Sequence, residues 1–176
     1  MKKSFVLMTV IGLLAGITTV HANENDKNVI YIGGGSAQSG NPLKSSATPG
    51  SIGYLRLSNE NDAVIGFDVG GEGTLLDSTW GQRSAVKQAN SYNLLVGKNL
   101  MKNESSRFDA TFLVGMRRST TSCPSSYLGY QCYADAAPDN KYDLNYGLVL
   151  AVSYKSVMVG VRATGESAQA LLGLRF

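Results

Sequence analysis

The stretch LLGLRF, residues 171–176, decides the fold because it alternates strictly between two faces. Leu172, Leu174 and Phe176 fall on one face of this pattern, and Gly173 and Arg175 fall on the other. A period of two residues is typical of a β-strand, and here the strand is predicted to continue to Phe176. Most domains end instead in a polar, frayed segment. The pattern therefore indicates that the last strand has to be kept whole.

The same alternation recurs upstream, and helical periodicity does not compete with it over any comparable window. The clearest case is residues 141–153, where Tyr, Leu and Val alternate with Asp, Asn, Gly and Ala. In the second segment, SIGYLRLS, polar and apolar residues do not separate onto two faces, which predicts a β-bulge there. The sequence predicts eight strands, near residues 28–36, 50–58, 62–72, 90–101, 106–118, 141–153, 156–164 and 167–176.

The predicted connections between these strands differ in length in an ordered way. Those after strands two, four and six are tight, whereas residues 37–49, 73–89 and 119–140 form long loops. The short TGES connection after strand seven departs mildly from this scheme. An even number of strands, with short turns at one rim and long loops at the other, is typical of a membrane barrel. The predicted fold class is an all-β, eight-stranded antiparallel up-and-down transmembrane β-barrel.

The volume of the lumen decides which face points inward. An eight-stranded barrel is barely wide enough to be filled by side chains, so the bulky apolar face would overfill it. We therefore expect the apolar face to contact lipid and the Gly-rich polar face to line the lumen, with its charges paired because unpaired buried charge is costly. Arg56 joins this set if the second strand turns that way. The predicted lumen charge network, which leaves no wide pore, is Asp68, Glu72, Asp109, Arg117, Asp143, Arg162 and Arg175.

Residues 1–22 have the pattern of a signal peptide. Lys2 and Lys3 precede an apolar run from Phe5 to Val20, which is shorter than the ~20 residues of a membrane-spanning helix. Cleavage before Asn23 leaves residues 23–176 as one barrel domain with 14 basic and 13 acidic residues, a net charge of +1. This balance argues against nucleic-acid binding. The only histidine, His21, lies in the removed segment, so we expect no metal site, no cofactor and no histidine-dependent catalysis.

The long predicted loops hold the remaining candidates. Cys123 and Cys132 lie in the longest loop of an exported chain without a histidine to complete a zinc site, so a disulfide is predicted. Aromatic residues in Ser- and Gly-rich loops are typical of adaptable binding surfaces, and equally of a tyrosine belt at the lipid headgroups. The contact candidates are Trp80, Tyr127, Tyr130 and Tyr133. Basic residues on the loop rim are placed to meet lipopolysaccharide phosphates, or solvent alone: Lys44, Arg83, Lys87 and Arg118.

The signal peptide, the eight strands and the terminal LLGLRF resemble the small, porin-like outer-membrane barrels of Gram-negative bacteria, the OmpX/Ail group and the OmpA membrane domain. In that family a last strand ending in Phe is recognised by the barrel-assembly machinery. The resemblance therefore implies this role for Leu172, Leu174 and Phe176. It also implies an outer-membrane location among lipid and lipopolysaccharide. The enzymes that resemble these barrels rely on an active-site histidine, so we expect no enzyme here.

Three functions follow from this sequence. The leading hypothesis is a monomeric barrel with a plugged lumen that acts through its surface loops, in envelope integrity or in adhesion to a surface ligand or host protein. The second is a narrow channel for small solutes or ions. The third is a secreted, lipocalin-like binding barrel, which requires the apolar face to point inward.

Overall fold

The computed structural model describes residues 27–37, 48–58, 61–76, 86–120 and 139–176. These residues form eight antiparallel strands and no helix. The strands are β1 (Asn28–Ala37), β2 (Gly50–Leu57), β3 (Ala63–Leu76), β4 (Val86–Lys102), β5 (Ser106–Thr120), β6 (Asn140–Tyr154), β7 (Val157–Thr164) and β8 (Ser167–Arg175).

Each strand pairs with the next, and β1 pairs with β8, so the sheet closes into a barrel with no free edge. The closing seam continues past β8, since the amide of Asn28 donates to the carbonyl of Phe176 at 3.0 Å and the amide of Phe176 donates back at 2.9 Å. Closure satisfies the backbone groups that an open sheet would leave unpaired. The predicted eight-stranded antiparallel up-and-down barrel is thus confirmed.

The strand boundaries differ from the predicted ones mainly at β3 and β4. Residues 73–76 and 86–89 were assigned to a long loop from residue 73 to residue 89, but β3 continues to Leu76 and β4 already begins at Val86. The register shifts between Gly71 and Thr74, and Gly73 adopts a φ of 79°. Glycine permits this left-handed conformation inside a bulged strand, so a turn-like sequence here lies within the sheet.

The bulge predicted in the second strand is wrong. β2 pairs with β1 and with β3 in continuous register. The irregular positions lie between Gly71 and Thr74 of β3 and between Asn99 and Met101 of β4. The mixed pattern of SIGYLRLS has another cause: Leu55 and Leu57 point into the lumen, whereas Arg56 is exposed on the outer surface. Arg56 therefore does not belong to the lumen charges.

The barrel is apolar outside and mixed inside. Large exposed hydrophobic side chains extend around the outer surface, and examples from successive strands are Ile30, Ile52, Phe67, Leu94, Phe112, Leu144 and Val159. The opposite parity is buried, and it carries charged and polar side chains. The lipocalin-like alternative required the reverse arrangement, so the structure argues against it.

Part of the lumen is an apolar core, which the prediction of a polar interior did not anticipate. The buried cluster is Val29, Tyr31, Leu55, Leu57, Val64, Leu95, Leu113, Val149, Ala151, Met158 and Leu171. Along β6 the inward residues change from Asn145 through Val149 and Ala151 to Ser153. The apolar core therefore separates a polar cluster on the side of the long connections from a second polar group on the side of the short turns.

Glycines on the inward face allow neighbouring strands to approach each other closely, and a substitution of Gly115 tests this. A Cβ atom there would overlap the backbone carbonyl of Tyr92, whereas a Cβ at the outward Gly34 would meet nothing within 4 Å. We expect Gly115→Ala to lower the free energy of unfolding by about 1–3 kcal/mol because the backbone must shift. Urea titration of the refolded barrel measures this, with Gly34→Ala as the matched control. Equal stability of the two variants would contradict the expectation.

Candidate functional site

On the side of the long connections, the lumen contains one buried ion-pair cluster, which we call the Arg162 cluster: Asp68, Glu72 and Arg162. The Arg162 guanidinium donates from Nε to Asp68 Oδ2 at 2.7 Å. Its Nη1 and Nη2 atoms donate to the two oxygens of Glu72, each at 2.8 Å. All three side chains are 0% exposed. This bidentate geometry is the strongest arrangement available to an arginine and a carboxylate.

The cluster contains two carboxylates and one guanidinium, so its charge is balanced only in part. Neutral donors stabilise the excess negative charge. Tyr31 and Asn93 donate to Asp68, at 3.1 Å and 2.6 Å. Four further donors reach Glu72, namely Ser91, Asn145, Thr164 and Ser167, at 2.7, 3.0, 2.7 and 2.7 Å. These side chains come from β1, β3, β4, β6, β7 and β8, so the cluster ties opposite walls of the barrel together across the lumen.

A second buried polar group lies near the short turns. Arg107 Nε donates to Asp109 Oδ1 at 2.7 Å, and Asn99 Nδ2 donates to the same oxygen at 2.9 Å. Arg107 Nη2 and the neighbouring Ser153 Oγ have no hydrogen-bond partner within the described part of the chain. Arg107 and Arg175 line a cavity of about 720 Å³ at this end of the barrel. This end therefore differs from the other, where every charge of the Arg162 cluster is bonded.

Ion pairs at the rim of the long connections are more exposed. Arg117 Nη1 lies 2.7 Å from Glu166 Oε1, with side-chain exposures of 17% and 32%. Arg117 Nη2 lies 4.0 Å from Asp143 Oδ2, and Lys141 lies 3.3 Å from the other oxygen of Asp143. Solvent screens such pairs, so each contributes little to stability.

The seven predicted lumen charges therefore lie in separate groups. The structure brings Asp68, Glu72 and Arg162 together, places Asp109 and Arg175 toward the short turns, and places Arg117 with Asp143 at the opposite rim. Sequence reasoning missed Arg107 and Glu166 as ion-pair members, and it missed the neutral donors. Strand parity could have found most of them, since Asn93, Asn145, Thr164 and Gln169 share the inward face with the charged residues.

Several predicted features lie outside the described residues. These are the signal peptide of residues 1–22, the disulfide between Cys123 and Cys132, and the contact candidates Trp80, Tyr127, Tyr130 and Tyr133. Among the loop-rim cations, Lys87 and Arg118 lie within β4 and β5.

The outer surface has an apolar belt with tyrosines toward both rims. Tyr54 and Tyr154 lie near the short turns, and Tyr92 and Tyr142 lie toward the long connections. Tyrosine is enriched at both interfaces of a bilayer because its ring is apolar and its hydroxyl is polar. Leu172 and Leu174 belong to the outward face of β8, and Phe176 is exposed just after it.

The described residues contain no group of three or more His, Cys, Asp or Glu side chains placed to hold a metal ion. None of the same residues forms a helix long and apolar enough to cross a membrane.

A closed eight-stranded antiparallel barrel with an apolar exterior and buried internal charge defines the class: the chain has the fold of the small outer-membrane β-barrels. No protein-family model matches the chain, and no curated protein matches it.

Among solved structures, the chain is similar to the outer-membrane protein Ail of Yersinia pestis in a phospholipid bilayer nanodisc. That match has 15% identity and a TM-score of 0.48, and it covers 86% of this chain and 100% of the other. A crystal structure of Ail, the attachment invasion locus protein of Yersinia pestis, in complex with the heparin analogue sucrose octasulfate has 15% identity and a TM-score of 0.49. It covers 85% of this chain and 97% of the other.

Proposed function

We propose that this protein is a non-enzymatic outer-membrane barrel whose lumen is plugged and whose role is performed by its surface loops, in adhesion or envelope integrity. The observation that carries the proposal is the complete burial of the Arg162 cluster across the lumen. A barrel filled by bonded side chains leaves no path for a substrate, so the loops at its rim are the part available for function.

The membrane location is supported by the outer surface. Exposed Ile, Leu, Val and Phe side chains form a continuous belt, far larger than the apolar patches that monomeric proteins expose to water. Tyrosines border the belt on both sides, as expected at lipid interfaces. We propose further that Leu172, Leu174 and Phe176 are the signal read by the barrel-assembly machinery, and that lipopolysaccharide surrounds the long-loop rim.

Deleting residues 122–134 tests the role of the longest loop. The pairing of β5 with β6 extends to Thr120 and Asn140, so the deletion removes no residue of either strand. We expect vesicles carrying the deleted barrel to lose binding to host-cell surfaces while the barrel keeps its heat-dependent gel mobility. The matched variant keeps the loop length and carries three substitutions, Tyr127→Ser, Tyr130→Ser and Tyr133→Ser. Binding that survives both changes would exclude this loop as the contact site.

The channel alternative is tested by planar-bilayer recording. We expect the refolded barrel to give no steady conductance because bonded side chains fill the lumen around Arg162. The gel shift on boiling shows that the recorded protein is folded. A reproducible single-channel current from folded protein would contradict the plugged lumen and support the channel alternative.

A further inference from the structure

The outer surface contains a groove of about 560 Å³ beside β2 and β3, at the end of the barrel with the short turns. Its floor includes Ile65, Phe67 and Leu94, which belong to the exposed apolar belt. Lys27 and Arg56 lie on its wall. We propose that this groove binds one anionic glycerophospholipid of the leaflet that faces the short turns. The inference rests on the proposed membrane location.

The order of residues along the groove matches the order of groups in a phospholipid. Of the outward residues of β2 that line the groove, Tyr54 lies nearer the middle of the strand, beside Phe67, and Arg56 lies nearer the short turn. The groove is therefore apolar and amphipathic toward the middle of the barrel and cationic toward the short turn. A lipid in that leaflet presents acyl chain, glycerol ester and phosphate in the same direction. Arginine and lysine at this depth place their charges at the headgroup level while their stems contact apolar surface.

The floor is formed by side chains that are neighbours across strands. Tyr54 pairs with Phe67, and their ring centroids lie 5.8 Å apart at an angle of 38°. Phe67 in turn pairs with Leu94 of β4. The Tyr54 hydroxyl donates to Asn28 Oδ1 at 2.6 Å, which fixes the ring at the edge of the groove. The floor is therefore an apolar surface formed by neighbouring side chains of β2, β3 and β4.

The charge of the groove fits an anion. Lys27 and Arg56 carry positive charge, and no described lining residue is acidic. Asp62 in the adjoining turn does not line the groove. Within the described residues, neither cationic side chain forms an ion pair. Arg56 stands between Asn28 of β1 and Ile65 of β3, and neither neighbour neutralises it.

Native mass spectrometry of the refolded full chain, titrated with phosphatidylglycerol in detergent, tests the proposal. We expect one saturable lipid on the wild type and about five- to tenfold weaker binding for Arg56→Gln, because a cation near an anionic headgroup contributes roughly that much. Lys155→Gln is the matched control, since Lys155 lies in a short turn at the same rim and packs on the Tyr154 ring, away from the groove. Its affinity should equal that of the wild type.

The other outcomes are distinguishable. If Arg56→Gln and Lys155→Gln weaken lipid binding equally, or if neither weakens it, the proposed site is wrong. Displacement of the lipid by excess glycerol 3-phosphate also overturns it, because a soluble phosphate would then be the ligand. A barrel that fails to insert into vesicles contradicts the membrane location itself. A barrel that inserts but shows no saturable lipid contradicts the groove alone.

Discussion

Replacing Arg162 by methionine is expected to lower the free energy of unfolding by about 3–5 kcal/mol, the usual cost of removing one partner from a buried ion pair. The substitution leaves Asp68 and Glu72 without the counter-charge that they share, and both are fully buried. The remaining hydroxyl and amide donors do not replace a formal positive charge. Urea titration, with the folded fraction read from the gel shift on boiling, measures the loss.

Two further variants show whether the cause is electrostatic. Arg117→Met removes an arginine from a half-exposed pair with Glu166, so it should cost no more than about 1 kcal/mol. Combining Arg162→Met with Asp68→Asn and Glu72→Gln removes the whole charge set, and it should restore most of the stability. If Arg162→Met fails to fold, the stability of the triple variant still shows whether the loss is caused by unpaired charge. A triple variant no better than the single one would show that packing around Arg162, and not charge, is what matters.

The barrel could be predicted because period-two alternation and closure constrain each other. Residues 141–153 show one apolar and one polar face, and the observed β6 differs by a single residue at each end. The lumen charges could be assigned to the inward face for the same reason, since parity fixes the face of every residue in a strand. Arg56 was the exception, because a strand with Leu on its inner face and Arg on its outer face reverses the expected pattern.

The partition of the lumen could not be predicted from parity. Parity assigns a face, but the height of each residue depends on the stagger of strands around the barrel. Asp109 and Asp68 both point inward, yet Asp109 bonds with Arg107 and Asp68 bonds with Arg162. The bulges between Gly71 and Thr74 and between Asn99 and Met101 add to this stagger locally. Pairing across a lumen is therefore a property of the closed barrel and not of any one strand.

Replacing Phe112 by arginine is expected to destabilise the barrel in a bilayer by about 2–4 kcal/mol, the cost measured for arginine at the middle of a lipid-facing strand. Phe112 is 72% exposed, and it lies in the middle of β5 between Val96 and Leu148. If its surroundings are lipid, a charge there must be desolvated or must distort the bilayer. If they are water, the same change would be close to neutral, because an exposed charge is well solvated.

Depth along the belt provides the control for this prediction. Met101 is 65% exposed, as open as Phe112, but it is the second-last residue of β4 and lies beside a short turn. Met101→Arg should therefore cost only about 0–1 kcal/mol, because arginine near the interface reaches the headgroups. Urea titration of the two variants in phospholipid vesicles gives the difference directly. A large penalty at Phe112 with a small one at Met101 requires a medium that is apolar at the middle of the belt and polar at its edge. Equal penalties would contradict the membrane location, since water has no such gradient.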